Sequence, residues 1–383
     1  MSILRDVFFI GVSCSIVYYL LAVVTTTLFS FRAAQLPRAP ARSVRATLLK
    51  PLHGFTEELA SNLRSFMELD YQEKEYIFGI TKEDDGALEA VKQIRRLYPD
   101  AQVRVTVGEE PSVNRKVGKL MRMLRHAPES EVLVMSDADV RVDRDYLSRV
   151  LAELDASESV GLVTCAYKGI APAGSLGARL ESLFINTDFT PTAIVSYYLE
   201  PMRHAFAATV AIRQSTLKEV GGLETVKNAF GDDFALARRV AALGYRIHLS
   251  GSIVEMVTER LTFRDFWNRQ LRWARVDRKI RPASLARILI NGPFWGMLLF
   301  VVSGFRLPWL AMAALAILAR CGMAAWTYHR LLRLPVRASD LAWTLVKDLI
   351  MQAVWFASLF GDTVEWSGRK LRLLPTGEME EAG

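Results

Sequence analysis

An uncharged run near the N-terminus constrains this chain more than any other feature. From Val7 to Phe31 the sequence contains no charged residue, and a helix of that length crosses a hydrocarbon core of about 30 Å. A signal peptide is the competing interpretation, but the run exceeds the usual apolar length of about 7–15 residues and no small-residue cleavage site follows it. The sequence therefore predicts a transmembrane helix within residues 1–31.

A basic segment follows this helix, and its arginines are Arg32, Arg38, Arg42 and Arg45. Because basic flanks stay in the cytoplasm, we expect an integral membrane protein whose central part is cytosolic. The net charge of +7 fits nucleic acid or an anionic surface. No RNA- or DNA-binding motif accompanies it, so lipid headgroups and substrate phosphates are the predicted partners and nucleic acid is not.

Within a predicted domain of residues 32–281, the stretch from about Ala46 to Arg260 alternates short β-rich runs with amphipathic helical stretches. This alternation predicts βαβ units and an α/β domain with a Rossmann-like, mostly parallel sheet. Ligands bind beyond the carboxyl ends of the strands in such sheets. The acidic segments EDD, ending at Asp85, and SDAD, ending at Asp139, fall at such strand ends.

The C-terminal region, residues 282–383, contains three apolar blocks, near Ile288 to Phe305, Leu307 to Tyr328 and Leu341 to Phe360. They predict two or three membrane helices, the first of which could instead be re-entrant or interfacial. Three full crossings would place the basic tail from Arg369 to Arg372 on the side opposite the central α/β domain. The basic loop that follows the second block favours the cytoplasmic face, so the number of crossings stays open.

The strongest local signal for chemistry is VLVMSDADV, a hydrophobic strand that ends in Asp137 and Asp139. Two carboxylates at this spacing can reach one divalent cation, Mn²⁺ or Mg²⁺, because hard cations prefer oxygen ligands. Such a cation would neutralise a leaving diphosphate. A solvated turn is the alternative, and the apolar strand before the pair makes it the weaker one.

Two further segments could contact a nucleotide. Asp85 follows the strand YIFGIT, where its carboxylate could accept hydrogen bonds from a base or a ribose, although a solvated turn explains it equally simply. Asn114, Arg115 and Lys116 precede a helical run and could meet a phosphate. A basic surface cluster is the alternative for this segment.

Asp232 and Asp233 begin the amphipathic run DDFALARRVAALG. They could simply complement the helix dipole, or Asp233 could act as a general base whose pKa is raised by its acidic neighbour.

The segment directly before the apolar blocks, Arg269 to Trp273, reads RQLRW. Arg272 could clamp diphosphate oxygens and Trp273 could stack on a sugar, whereas an interfacial helix with its Trp at headgroup level is the alternative.

Taken in order, these residues resemble the D, D, D, (Q/R)xxRW signature of membrane glycosyltransferases with a GT-A fold. The matching positions are Asp85, Asp137, Asp233, Arg269, Arg272 and Trp273. The segments KPLHG, LDYQ, GLVT and GGL are similar to the ceramide glucosyltransferase family, glycosyltransferase family 21, which includes bacterial hopanoid-biosynthesis glycosyltransferases. The resemblance covers about Lys50 to Arg281.

This resemblance implies inverting transfer of a sugar from a UDP-sugar to a hydroxyl of a lipid, ceramide-like or hopanoid, at a bacterial inner membrane. Asp85 would bind the uridine part, and Asp137 with Asp139 the metal and diphosphate. Asp233 would deprotonate the lipid hydroxyl, while Arg272 and Trp273 would secure the diphosphate and the acceptor mouth. Further donor contacts are implied for Lys50, Lys116 and Arg269.

Two departures from the animal ceramide enzymes favour a bacterial-type lipid acceptor. Those enzymes carry a histidine in the segment matching Asn186 to Phe189, where this chain has Asp188, and they lack the carboxylate that Asp139 supplies. A processive polysaccharide synthase shares the signature but usually needs more membrane helices. A non-catalytic scaffold is also possible in principle, yet Asp233 and Arg272 are both present.

Overall fold

The computed structural model describes residues 2–127, 130–172, 174–366 and 368–382. The eight strands of its central sheet are β1 Ala46–Pro51, β2 Lys74–Ile80, β3 Val103–Val107, β4 Val132–Met135, β5 Val140–Arg141, β6 Val160–Ile170, β7 Val210–Arg213 and β8 Arg246–Val257. They lie in the order β3-β2-β1-β4-β7-β6-β8-β5. The pairs β3–β2, β2–β1, β1–β4 and β6–β8 are parallel, and the other three are antiparallel.

Helices alternate with these strands, which confirms the predicted α/β class and the mostly parallel sheet. The helices of this part are α1 Ser2–Gln35, α2 Glu57–Met67, α3 Ala87–Leu97, α4 Arg115–Leu124, α5 Tyr146–Asp155, α6 Leu176–Phe184, α7 Thr190–Leu199, α8 Gln214–Glu219, α9 Asp232–Ala242 and α10 Phe263–Ile280. A single π-helical turn, Ile185–Phe189, joins α6 to α7.

The apolar strands explain why acidic residues gather at one sheet edge. β1 and β4 are buried along their whole length, as parallel strands covered on both faces must be. Their neighbour β2 is buried except at its first residue. Because β2, β1 and β4 run parallel side by side, the segments after them, which hold Asp85 and Asp137, leave the sheet at the same edge.

Not all of the apolar blocks of the sequence form helices that are long and apolar enough to span a membrane on their own. Within the described residues, two helical stretches, Ile3–Gln35 and Leu307–Leu332, are long and apolar enough to span a bilayer. A third span exists only if Pro282–Leu289 and Gly292–Val302, which meet at a 52° bend, count as one. The C-terminal helices are α11 Gly292–Val302, α12 Leu307–Trp326 and α13 Ala338–Ser358.

α13 is not an isolated apolar span. It packs against α6 and α10 of the catalytic domain and buries the charged Lys347 and Asp348. The third apolar block of the sequence is therefore a helix that lies along the catalytic domain.

The chain ends in a small antiparallel sheet that the sequence did not lead us to expect, formed by β9 Thr363–Trp366, β10 Arg369–Leu373 and β11 Met379–Glu381. Its buried side chains form a separate small core with Val276 of α10. Phe230 packs on Trp366, with ring centroids 5.3 Å apart. We call residues 363–381 the C-terminal sheet.

The C-terminal sheet also binds the loop before α9. The amide of Phe230 donates to the carbonyl of Gly377 (3.2 Å), and the amide of Met379 donates to the carbonyl of Asn228 (2.8 Å). The tail therefore packs against the loop that leads into α9, a contact that three full crossings between α10 and the tail would not allow.

We predict that Leu371→Ala loosens the C-terminal sheet and lowers activity. Leu371 is fully buried in the small core, and a buried Leu→Ala change costs about 2–5 kcal/mol. The loop that the sheet binds leads directly into Asp232, so its release should displace the start of α9. Limited proteolysis should cut the tail of the variant faster than that of the wild type. Lys370→Ala, an exposed change on the same strand, should leave both properties unchanged.

Candidate active site

Lys116 connects the two acidic segments. Its Nζ lies 2.8 Å from Oδ1 of Asp137 and 3.2 Å from Oδ2 of Asp232. Burial would lower the pKa of Lys116, but the carboxylates around it outweigh burial and raise that pKa. Lys116 is therefore a fixed positive charge between β4 and α9. The cleft beside it is also lined by Ser136 and Asp233.

Asp139 provides the strongest indication of a cation site. Burial, and then the nearby Asp137, raise the pKa of Asp139 to about 6. Its Oδ1 is buried and has no hydrogen-bond partner among the described residues, and an ionised carboxylate is costly in such a place unless a cation compensates it. No cluster of three or more His, Cys, Asp or Glu that could hold a metal occurs in the part of the chain that the structure describes. The two carboxylates thus fit a cation whose other ligands come from substrate oxygens and water.

Asp233 lies in the first turn of α9, immediately after Asp232. Its Oδ1 accepts the amide hydrogen of Phe234 (2.8 Å), and the N-cap residue of the helix is Gly231. Burial, together with the charge of Asp232, raises the pKa of Asp233 to about 7, against the opposing effect of Lys116. Asp233 is not the N-cap residue, and a carboxylate with a pKa near neutrality suits proton transfer.

Two residues expected to contact a nucleotide also bind groups of the protein itself. Lys50 is completely buried, and its Nζ donates to the carbonyl of Asp137 (2.7 Å) while it lies 3.7 Å from the centroid of the Phe66 ring. Asn114 caps α4 by accepting amide hydrogens from Lys116 and Val117. Both side chains help to position the acidic segments, and their contact with a nucleotide stays a prediction.

Asp85 is held by the loop after β1. Its Oδ1 accepts backbone hydrogens from Gly54 (2.8 Å) and Ala87 (3.0 Å), and Oδ2 lies 3.3 Å from Nδ1 of His53. Burial alone would raise the pKa of Asp85, but the bonds from Ala87, Gly54 and His53 outweigh it and lower that pKa. Asp85 is thus an ionised carboxylate at the same sheet edge, outside the direct contacts of Lys116.

The RQLRW segment lies within α10 and surrounds Glu181 of α6. Gln270 donates to Oε2 of Glu181 (2.8 Å), and Nη1 of Arg269 lies 3.5 Å from its Oε1. Burial, and then the like charge of Arg269, lower the pKa of Arg272 to about 10, and its buried Nε has no partner within the described ranges. One carboxylate thus faces two guanidinium groups, which leaves a surplus positive charge suited to a phosphate. The ring of Trp273 packs 6.0 Å from that of Phe184.

Tyr167 of β6 is a buried side chain influenced by several of these groups. Burial is the main reason why its pKa is raised, and the next causes are the charges of Asp233, Asp139, Glu181 and Asp137. The acidic residues after β4, at the start of α9 and on α6 therefore all act on one side chain. The sequence did not single out Tyr167 or Glu181. A glutamate in the apolar run LESLF was a usable signal for Glu181, whereas Tyr167 lies in a mostly apolar strand, VGLVTCAYKGI, that carries no functional signal of its own.

The whole arrangement corresponds to a known family, because the family model described as glycosyl transferase family 21 matches residues 7–379. The chain belongs to glycosyl transferase family 21. The match includes the N-terminal helix and most of the C-terminal sheet, so the family 21 architecture covers the membrane helices as well as the catalytic domain.

Two relatives from Caenorhabditis elegans have low sequence identity to this chain, below 25%. Ceramide glucosyltransferase 1 is 24% identical over 248 residues, which cover 64% of this chain and 52% of that protein. Ceramide glucosyltransferase 3 is 22% identical over 293 residues, which cover 76% of this chain and 62% of that protein. The chain thus spans about half to three fifths of the length of these relatives.

A solved mannosyltransferase from Pyrobaculum calidifontis, in complex with GDP-Man and Mn²⁺, shares the fold. Its TM-score is 0.52 at 19% identity, and the alignment covers 92% of this chain and 99% of that structure. The predicted GT-A fold of this family 21 chain is thereby confirmed.

Proposed function

We propose that this family 21 chain transfers one sugar from a UDP-sugar to a hydroxyl of a membrane lipid, with inversion at the anomeric carbon. The observation that carries the proposal is the contact of Lys116 with both Asp137 and Asp232. It brings the end of β4 and the start of α9 into one cleft, where a diphosphate site and a general base can act on the same bond.

The donor would lie along the sheet edge between Asp85 and the RQLRW segment. Asp85 would bind the uridine part, and Lys116, Arg269 and Arg272 would provide positive charge for the diphosphate. A divalent cation bound by Asp137 and Asp139 would stabilise the leaving diphosphate. The Mn²⁺ that accompanies GDP-Man in the Pyrobaculum mannosyltransferase structure supports this assignment by analogy of fold.

Asp233 would accept the proton of the attacking hydroxyl. The new bond forms between the acceptor oxygen and the anomeric carbon as the bond to the diphosphate breaks on the opposite face, which inverts the configuration. A pKa of about 7 for Asp233 leaves the carboxylate available as a base at neutral pH. No covalent enzyme intermediate is required.

A lipid acceptor is supported by the membrane helices and by the names of the two relatives. α10, which holds the RQLRW segment, packs against α13 and leads directly into the apolar C-terminal region. Both relatives are ceramide glucosyltransferases. Asp188 and Asp139 favour a lipid of bacterial type, such as a hopanoid, over ceramide.

UDP release from detergent-solubilised protein tests the proposal. Protein supplied with a panel of UDP-sugars and membrane lipids should release UDP with one of them, and a chelator should stop the release until Mn²⁺ or Mg²⁺ is restored. Mass spectrometry of the lipid extract should show a single added sugar. A ladder of products with many sugars would instead favour a polysaccharide synthase, and an absence of turnover with every donor would favour the scaffold.

We predict that Asp85→Asn weakens donor binding, while the amide oxygen can still accept the backbone hydrogens of Gly54 and Ala87. A hydrogen bond to a charged group contributes about 1.5–3 kcal/mol, so the Kd for UDP should rise roughly tenfold or more. Calorimetric titration with UDP measures this change. Asp84→Asn is the matched control, because Asp84 is the exposed neighbour on the same turn. Equal UDP affinity in wild type and Asp85→Asn would remove Asp85 from the donor site.

A further inference from the structure

A cluster of basic side chains lies at one end of the membrane helix α12. This helix continues beyond Trp326 as a π-helical turn, Thr327–Leu332, and a short loop then leads into α13. The exposed basic residues of this segment are His329, Arg330, Arg333 and Arg337. We call these four residues the basic surface. It contributes no residue to the lining of the cleft beside Lys116.

Contacts between α1 and α12 place the basic surface at the level of a membrane face. The two helices run side by side in the same direction. At one end the rings of Phe9 and Trp309 lie 6.1 Å apart, and at the other the guanidinium of Arg330 lies 4.9 Å from the centroid of the Phe31 ring. From Phe9 to Phe31 a helix rises about 33 Å, which matches a hydrocarbon core of about 30 Å. Arg330 therefore lies just beyond that core.

The end of α12 is docked on the catalytic domain, and the docking keeps the basic surface outward. Leu331 and Leu332 of the π-helical turn are buried in the main core. The hydroxyl of Tyr328 lies 3.4 Å from Nδ2 of Asn186. Because these side chains fix the inner side of the turn, the basic side chains stay exposed at the membrane face that carries the catalytic domain.

The basic surface has no acidic residue to neutralise it. From Arg278 to Ser339 the sequence contains no Asp or Glu. The acidic residues that flank this stretch, Asp277 and Asp340, pair with Arg287 (3.2 Å) and Arg179 (2.9 Å) instead. Among the described residues the basic surface forms no ion pair of its own. Its counterions must therefore come from outside the chain.

The orientation of the chain in the membrane does not by itself require this arrangement. The arginines that follow α1, among them Arg38 and Arg45, already provide a basic flank that orients the chain. The opposite end of α12 carries the exposed Arg306. One turn before the basic surface, Nε1 of the exposed Trp326 donates to the hydroxyl of Thr27 (2.9 Å). Because tryptophan rings favour the headgroup region, the basic surface lies at headgroup depth beside an aromatic anchor.

We infer that the basic surface binds the headgroups of anionic phospholipids in the leaflet next to the catalytic domain. Guanidinium groups at this depth attract anionic lipids, and they can donate to two phosphate oxygens at once. A zwitterionic headgroup carries its own cation, which offsets the phosphate and weakens the attraction. The lipid bound here is a membrane component and not the sugar acceptor, so the inference goes beyond the proposed function and does not depend on it.

Retention of lipid by the purified full-length protein tests the inference. Protein in a neutral detergent is mixed with equal amounts of phosphatidylglycerol and phosphatidylcholine of the same acyl chains, and native mass spectrometry counts the molecules of each that remain bound. Phosphatidylglycerol should exceed phosphatidylcholine roughly fivefold or more, and the excess should fall as added salt screens the charges. Equal retention of the two lipids, or an excess that salt leaves unchanged, would overturn the inference.

A triple variant tests the residues themselves. The protein with Arg330→Gln, Arg333→Gln and Arg337→Gln should retain the two lipids about equally. Arg306→Gln, an exposed change of the same kind at the opposite end of α12, should keep the excess of phosphatidylglycerol. If the triple variant does not fold, the three single substitutions are measured in the same way, and each should lower the excess. An excess equal to that of the wild type in these variants would overturn the inference.

Discussion

Asp233→Asn is expected to lower the rate of sugar transfer by about 10²–10⁴-fold, which is the usual contribution of a positioned general base. The amide keeps the size of the side chain and cannot accept the proton of the acceptor. Donor binding should persist, because the diphosphate contacts are assigned to other residues. Steady-state transfer and UDP titration on the same preparation measure both effects.

The same variant should be more stable than the wild type at alkaline pH. The pKa of Asp233 is about 7 in the folded protein and about 3.9 in an unfolded chain, so the folded state binds the proton more tightly. The wild type therefore loses stability as the pH rises from about 4 to about 7 and remains penalised above that range. Asp233→Asn removes this penalty. Thermal unfolding should show a higher midpoint than wild type at pH 8 and a vanishing difference near pH 4.

The pH dependence of turnover gives a further readout for Asp233. Activity of the wild type should rise as the pH increases through about 7, because the base must be ionised. The sequence of α9 offers no substitute base after Asp233, since the next charged residues of this helix are Arg238 and Arg239. The residual activity of Asp233→Asn should therefore lack this rise. A variant that transfers sugar at the wild-type rate would exclude Asp233 as the base.

Asp139→Asn is expected to have the second-largest effect, a loss of transfer of about 10²–10³-fold, the range found when one preorganised electrostatic contact is removed. Asp139 has a buried carboxylate oxygen that no described residue satisfies, and an amide cannot offer a cation the same charge. Apparent affinity for Mn²⁺ should fall in parallel, as measured by metal titration of the apo protein in the presence of UDP.

Asp143→Asn is the control for this change. Asp143 lies four residues further along and is exposed, so its variant should keep both metal affinity and turnover. Asp139→Asn could also remain fully active at the metal concentration that half-saturates the wild type. That result would show that Asp137 and Lys116 suffice to stabilise the leaving diphosphate without Asp139.

Much of the catalytic domain could be predicted because its signals are local. The apolar strands β1, β2 and β4 and the helix Ala87–Leu97 follow directly from hydrophobic period and length. The acidic residues at the strand ends then follow from the geometry of a parallel sheet. The GT-A fold, suggested by the resemblance of the signature residues, is shown by the structural neighbour.

The features that escaped prediction depend on tertiary packing. The C-terminal sheet consists of short strands such as RKLRL, whose two leucines are buried only because α10 and the loop before α9 cover them. The π-helical turn at Ile185–Phe189 has no periodic signature of its own. Lys50 resembled a nucleotide contact in the sequence, yet complete burial gives it a role in supporting Asp137.

The anomeric configuration of the product tests the central claim most directly. Protein is incubated with the UDP-α-sugar that supports turnover and with membrane lipids, and the purified glycolipid is examined by proton NMR at its anomeric position. A single sugar in β linkage, formed by the wild type and formed at least about 10²-fold more slowly by Asp233→Asn, is the predicted result. An α-linked product, or a glycolipid formed equally well by the variant, would contradict direct displacement assisted by Asp233.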